Sequence, residues 1–269
     1  MRLSAAQAGP ALPDHSAVAC MVYKCMRICV PQAVFSASAE YYDLVYGKKD
    51  YQGETDRLRG IFRQFVPLGR TTLDIACGTG EHLRLLPEYQ VAGIDLEPAF
   101  VRIASGKRPD GNFQVADMQR FELGSKFDIL ICLFSAIGYL LTAEAILSAL
   151  ACFKAHLTPG GAIFIEPFFE PNAWRTGEAN ITIGEDDHRK VCRLMTSDRK
   201  GDVAILIGHY LFAEGMDVRY AVERHELLLL HRDQWQDFFR EAGLSAEYLP
   251  EAFSSRGLYV ARPFGTSPS

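Results

Sequence analysis

A chain of 269 residues and 30.0 kDa, 48% hydrophobic and 23% charged, has the length and composition of one large soluble domain with a substantial core. Its net charge of −5 and pI near 5.8 offer no basic footprint for DNA or RNA phosphates, which excludes a general nucleic-acid role. The cysteines, at Cys20, Cys25, Cys29, Cys77, Cys132, Cys152 and Cys192, are odd in number and three lie in core-like segments, so a disulfide scaffold is excluded and a reducing, cytoplasmic setting is expected.

Residues 1–35 are expected to form a poorly ordered extension. Asp14 is their only acid, and the apolar stretch from Ala17 to Val30 is interrupted by Lys24 and Arg27, so no membrane span is expected. The trio Cys20, Cys25 and Cys29 lacks a paired CxxC and a fourth ligand, and no metal site is expected there. The tyrosine-rich run from Ser36 to Tyr51 reads as a cap rather than core. From Glu54, residues Leu58, Ile61, Phe62 and Phe65 fall at i, i+3, i+4 and i+7, one face of a helix.

Then come a strand in LDIAC from Leu73, a helix from Gly80 to about Leu86, a strand around Val91 to Leu96, and a helix entered at Pro98. A third strand is expected over Phe113 to Met118. A fourth, Phe127 to Phe134, is apolar enough to be buried on both faces. Thr142 caps a helix striped by Ile146, Leu150, Phe153 and Leu157, which Pro159, Gly160 and Gly161 end before the strand AIFIEP. This alternation predicts an α/β fold, a doubly wound, mostly parallel sheet. Beyond Pro171 the texture becomes an antiparallel meander, inserted over 172–230, with strands at Lys190 to Met195, Val203 to Phe212 and Val218 to Leu230. A helix bearing Trp235, Phe238, Phe239 and Ala242 stops at Gly243. The strand GLYVARP is then expected to rejoin the main sheet, ahead of a tail at 264–269.

In such a sheet the first strand's turn lies at the ligand-binding switch point, and glycines there admit a ligand with no Cβ in the way. Asp95, twenty-one residues after Asp74, is placed to bind ribose hydroxyls. GxGxxG is incomplete, because Gly78 and Gly80 are followed by Glu81, His82 and Leu83, so a dinucleotide fits poorly. A ligand with ribose, adenine and an amino-acid tail but no pyrophosphate, such as S-adenosylmethionine, suits the turn better.

LDIACGTG, GIDLEP, VADM and LTPGG, in that order between Leu73 and Pro167, resemble the motifs of class I S-adenosylmethionine-dependent methyltransferases, a Rossmann-like fold. The resemblance implies that Asp74, Ala76, Cys77, Gly78 and Gly80 surround the methionine tail. It also implies that Asp95 and Leu96 meet the ribose and that Asp117 and Met118 flank the adenine. From about Tyr41 to Pro263 the chain further resembles the N,N-dimethyltransferases of nucleotide-linked amino sugars in macrolide sugar biosynthesis, on YDLVYGKKDY, FDILICLFSAIGYL, IEPFFEP, ERHELLLL and EAFSSRGLYV. That implies a methyltransferase domain over 36–263, a sugar-amine acceptor on thymidine diphosphate, and a homodimer. The N-terminal segment departs from the pattern.

Methyl transfer to an amine is an in-line displacement, so catalysis rests on holding the lone pair behind the methyl in a water-poor pocket. Tyr139 and Tyr42 are candidates to orient the amine or relay its proton, though aromatic packing accounts for both equally. Glu166, at the end of the fifth strand, is placed to bond the amine or a sugar hydroxyl. Arg256 offers a fork for a diphosphate with Ser254 and Ser255 as donors, Phe168 and Phe169 offer stacking faces, and His225 offers a substrate contact from a half-exposed strand position. Two alternatives stand beside this reading: methylation of another small amine, hydroxyl or carboxylate, and a non-catalytic methyltransferase-like binding module.

Overall fold

The computed structural model describes residues 35–265. The expectations for residues 1–34, including the three N-terminal cysteines, and for 266–269 lie outside that range. Phe35, placed in the segment expected to be an extension, packs its ring on Tyr42, Phe100, Tyr139 and His225.

Seven strands form the main sheet in the order β10, β11, β5, β4, β1, β2, β3. These are β1 (Thr71–Ile75), β2 (Gln90–Asp95), β3 (Asn112–Val115), β4 (Phe127–Cys132), β5 (Leu157–Ile165), β10 (Leu244–Leu249) and β11 (Leu258–Pro263). Strands β1 to β5 pair in parallel, and β11 returns antiparallel between β5 and β10. Strand order reverses at β1, which lies between β2 and β4. The carboxyl ends of β1 and β4 therefore flank the switch point where doubly wound sheets bind ligands. Ile129 to Cys132 of β4 are wholly buried, as its apolar run requires of a central strand.

Helices cover both faces. Helix α1 (Tyr42–Val45) lies in the cap, and α2 (Tyr51–Phe65) buries Leu58 and Phe62 completely, each stabilising the fold by roughly 1.5–3 kcal/mol. The Asp50 side chain starts α2 by accepting the Gly53 N–H at 2.9 Å. The short α3 (Glu81–Arg84) follows the glycine turn, and α4 (Pro98–Lys107) opens with proline at N1 and a Glu97 cap. Helix α5 (Ala143–Ala155) is capped by Thr142, whose hydroxyl accepts the Ala145 N–H, and α6 (Arg232–Glu241) buries Trp235 and Phe239.

The second sheet has four antiparallel strands in chain order: β6 (Ala179–Glu185), β7 (Arg189–Lys200), β8 (Val203–Glu214) and β9 (Asp217–Leu228). Three were expected. ANITIGE forms the additional edge strand, its exposed Ile181 and Ile183 giving no one-sided core signal. The turns tighten to Gly201–Asp202 and Gly215–Met216, with both glycines left-handed, so Asp198 to Lys200 continue β7 rather than forming a loop. Pro159 to Gly161 likewise lie inside β5, and Leu157 belongs to that strand instead of the helix stripe. Strand β10 was not anticipated because LSAEYL is short and follows the helix directly. The cap is less peripheral than its polarity implied: Tyr41 and Val45 are buried with Val191, Tyr210 and Phe212 of the second sheet. Among the described residues, no helix is long and apolar enough to cross a membrane.

Candidate active site

At the end of β1 the chain turns through left-handed residues, Ala76 at φ 60°, Gly78 at 53° and Gly80 at 75°. A Cβ on Gly80 would stand 2.9 Å from that of Ala104, so glycine is what lets α3 approach α4. A Cβ on Gly78 would meet nothing within 4 Å, so this backbone borders open space. The Asp95 carboxylate accepts the N–H groups of Gly78 at 2.8 Å and Glu97 at 2.9 Å, which fixes it beside the turn. Burial raises its pKa, against the pull of those N–H groups. Asp74, 3% exposed, is pushed well above the usual carboxylate range by burial and by the Asp95 charge. Burial also raises the Cys77 thiol, which removes it as a nucleophile.

Leu96 is 71% exposed and Phe134 37% exposed at the ends of β2 and β4, an apolar surface awaiting a cover. Asp117 accepts the Gln119 N–H in the turn after β3, and Met118 packs against the main core. The turn with open space at Gly78, a fixed Asp95 and exposed apolar flanks fit a ribose and an adenine ring, the shape of S-adenosylmethionine.

After β4, Phe134 and Ser135 adopt left-handed φ of 54° and 60°, backbone strain of the kind that clusters at functional sites. A single 3-10 turn, Ala136–Tyr139, follows. Tyr139 then joins Tyr42, Tyr46, Arg193, Tyr210 and His225 around a small cleft. Its hydroxyl lies 2.9 Å from His225 Nδ1. Burial holds the Tyr139 and Tyr42 phenols well above their ordinary pKa, so both keep their protons. His225 lies on β9, the fourth strand of its sheet, and is 3% exposed rather than half-exposed. Burial, and then the Arg193 charge, bring its imidazole down to about 4.

Phe168 and Arg256, with Ser255 at the rim, line a second small cleft, together with Phe169, Arg232 and Tyr259. Glu166 is not open to an amine, as the sequence implied. It is 1% exposed, and its carboxylate accepts the Phe134 N–H at 2.6 Å, the Ser254 hydroxyl at 2.6 Å and the Arg256 guanidinium. It therefore ties the strained end of β4 to the loop carrying Arg256. One arm of the Arg256 fork is thereby taken, while its Nε has no partner among the described residues.

Sequence reasoning missed Asp43, Ser38, Arg193 and Glu223. Asp43 latches the cap to the glycine turn by accepting the Thr79 hydroxyl and the Lys107 ammonium, each at 2.6 Å. Glu223, 1% exposed, accepts the N–H groups of Ala37 and Ser38 and the Ser38 hydroxyl. Its signal was available: Glu223 and His225 stand at i and i+2, hence on one face of a strand. Arg193 donates to the Tyr46 hydroxyl at 2.9 Å across 147 residues, a pairing no local pattern announces.

Residues 72–161 match the model of a family described as a methyltransferase domain. The dTDP-3-amino-3,6-dideoxy-alpha-D-glucopyranose N,N-dimethyltransferase of Streptomyces fradiae is 37% identical over 240 residues, covering 87% of this chain and 94% of that one. The dTDP-3-amino-3,4,6-trideoxy-alpha-D-glucopyranose N,N-dimethyltransferase of Streptomyces venezuelae is 36% identical over 230 residues, covering 84% and 97%. The solved structure of CalS10 with S-adenosylmethionine bound, an amino pentose methyltransferase from Micromonospora echinaspora, superposes with a TM-score of 0.72 at 28% identity, covering 86% of this chain and 98% of that one. On these similarities and this fold, the chain is an S-adenosylmethionine-dependent N-methyltransferase and belongs to the family of N,N-dimethyltransferases of nucleotide-linked amino sugars.

Proposed function

We propose that this enzyme methylates the amino group of a thymidine-diphosphate-linked amino-deoxyhexose, the acceptor class named for its relatives from S. fradiae and S. venezuelae. The observation that carries this reading is the pair of clefts on either side of the 136–139 turn. One is lined by phenols and an imidazole, the other by Phe168, Phe169, Arg232 and Arg256. A Cβ on Gly138 would come within 3.2 Å of Phe168, so the two clefts are separated by little more than that turn. The aromatic and guanidinium lining suits the base and diphosphate of a sugar nucleotide, and the hydroxyl-rich cleft suits its sugar amine.

S-adenosylmethionine supplies an electrophilic methyl group on a sulfonium. The turn at Ala76 to Gly80, with Asp74, Asp95, Leu96, Asp117 and Met118, would hold it. The chain's own task is to present a neutral amine, exclude water and keep the nitrogen lone pair directed, for which no strong base is required. Tyr139 and Tyr42 contact the amine, Arg256 holds the diphosphate with the guanidinium nitrogen that Glu166 leaves free, and Ser255 lies at the entrance. Glu166 acts through Arg256 and Phe134.

Incubating the protein with S-adenosylmethionine and a panel of dTDP-amino sugars, with plain amines and hydroxylated sugars as controls, tests the reading by mass shift. A gain of one or two methyl groups confined to the amino-sugar nucleotides is expected. Transfer to the plain amines alone would overturn it.

We also infer that the enzyme works as a homodimer through the outer face of the second sheet. That face exposes Ile181, Ile183, Leu194, Leu211, Val218 and Tyr220, neighbouring apolar side chains of the kind that mark protein contacts. The patch is rimmed by Arg224 paired with Glu226 and Lys190 paired with Glu185, so no single sign of charge repels an identical face. Light scattering of the wild type and of Leu211→Lys checks this, with a dimer expected for the first and a monomer for the second.

A further inference from the structure

His225 is the chamber residue that packing explains least. It sits between two oxygens with different demands: Nδ1 is 2.9 Å from the Tyr139 hydroxyl, and Nε2 is 3.8 Å from Glu223 Oε2. Nε2 is buried and has no hydrogen-bond partner among the described residues. We propose that Glu223 and His225 set the direction of the Tyr139 hydroxyl, making its oxygen an acceptor for one N–H of the sugar amine, so that methylation ends when the nitrogen has no N–H left to give. This rests on the amino-sugar reading above.

The carboxylate of Glu223 accepts from Ala37, Ser38 N–H and the Ser38 hydroxyl. A lone pair on Nε2 would face a carboxylate oxygen, whereas an N–H there faces it favourably. The neutral ring therefore carries its proton on Nε2 and leaves Nδ1 as a lone pair. Tyr139 must then donate its single proton to Nδ1. What the phenol can still offer the chamber is an oxygen lone pair. A Tyr139 hydroxyl free to turn would instead donate to the amine's lone pair and occupy the electrons needed for the new bond.

The same polarity counts methyl groups. In each transfer the nitrogen lone pair forms one N–C bond as one C–S bond breaks, with that electron pair going to sulfur. The ammonium then releases a proton to solvent. A primary amine gives one N–H to Tyr139 and keeps its lone pair free; the monomethylated amine still has one N–H to give. Once neutral, the dimethylated amine has none and is no longer held. Glu223 and His225 are thus positioning residues, and Tyr139 is the group in contact with substrate.

The test uses the full chain with the dTDP-3-amino-3,6-dideoxyhexose and four variants: Tyr139→Phe, His225→Leu, the double variant and His225→Gln. Loss of one neutral hydrogen bond of about 1 kcal/mol predicts a fall in kcat/KM of roughly five- to tenfold for His225→Leu, with kcat itself falling as the freed hydroxyl engages the lone pair. His225→Gln, whose amide oxygen accepts from the Tyr139 hydroxyl, recovers most of it. In the Tyr139→Phe background, His225→Leu has no further effect. A calorimetric readout needs no methyl transfer: at a pH where both amines are neutral, wild type binds the free amine about tenfold more tightly than the dimethylated sugar nucleotide, and His225→Leu binds the two alike.

Additive losses in the double variant, a rise in KM with kcat unchanged, or an unaltered binding preference in His225→Leu would overturn the proposal and leave the amino-sugar reading standing. A wild type that binds S-adenosylmethionine yet neither binds nor methylates any amino-sugar nucleotide would overturn both.

Discussion

At the glycine turn, five consecutive residues from Ala76 to Gly80 shape the backbone, and Asp95 on the neighbouring strand and Asp43 of the cap are the distant carboxylates they hold. The proposed acceptor chamber draws Tyr42, Tyr139, Arg193 and His225 from the cap, the turn after β4 and two strands of the second sheet. The first region is built of backbone and tolerates little change in any one residue. The second is built of side chains held by other side chains, Glu223 behind His225 and Glu166 behind Arg256. Local geometry therefore builds the proposed cofactor site and long-range assembly the proposed acceptor site, with the cap joined to both through Asp43 and Ser38.

The largest effect that would sharpen this division is at Asp95. Asp95→Ala removes a charged acceptor whose hydrogen bonds are worth about 1.5–3 kcal/mol each, and S-adenosylmethionine binding is expected to weaken by about a hundredfold or more in calorimetry. Sugar-nucleotide affinity should hardly move. Equal loss of both would show the two regions to be one.

His225 gives the next effect, on stability. Its imidazole lies at about 4, against 6.5 ordinarily, because burial and then Arg193 disfavour the cation. Between those values the unfolded chain binds a proton that the folded chain refuses. Stability is therefore complete above pH 6.5 and falls as pH is lowered, by about 1.4 kcal/mol per pH unit. Denaturant titrations at pH 7 and pH 5 should show this fall in wild type and a smaller one in His225→Gln. An unchanged slope would mean that the ring charges freely and the chamber is wetter than its packing shows.

Arg256→Ala is expected to raise the sugar-nucleotide KM about tenfold while cofactor affinity stays the same. It should also cost about 1–3 kcal/mol in unfolding free energy, because Glu166 stays buried with one donor fewer. The smallest effect belongs to the joint between the regions. Asp43→Asn weakens a part-exposed ion pair and a hydroxyl contact, and both dissociation constants should rise only two- to threefold, about 0.5 kcal/mol. A change in one constant alone would show that the cap serves a single site.

Much of the main sheet was legible because its strands carry apolar runs closed by glycine, proline or a capping residue, as at Pro98 and Thr142. β6 and β10 were not, since neither shows a buried face long enough to read. Likewise, Gly80 and Asp95 stand out by spacing, whereas nothing local marks Glu166 as closed or Arg193 as a chamber residue.

By itself the sequence determined the parallel sheet, the glycine turn after its first strand and the kinship with amino-sugar methyltransferases. Each is written in residues within a few tens of positions of one another, where chain geometry leaves few choices. Only the tertiary structure decided which polar side chains remain open to a ligand and which are consumed by partners. A carboxylate such as Glu166 or an imidazole such as His225 takes its role from burial and from donors 86 to 90 residues away, brought together by packing the cap, the second sheet and the C-terminal loop around the ends of β4 and β5.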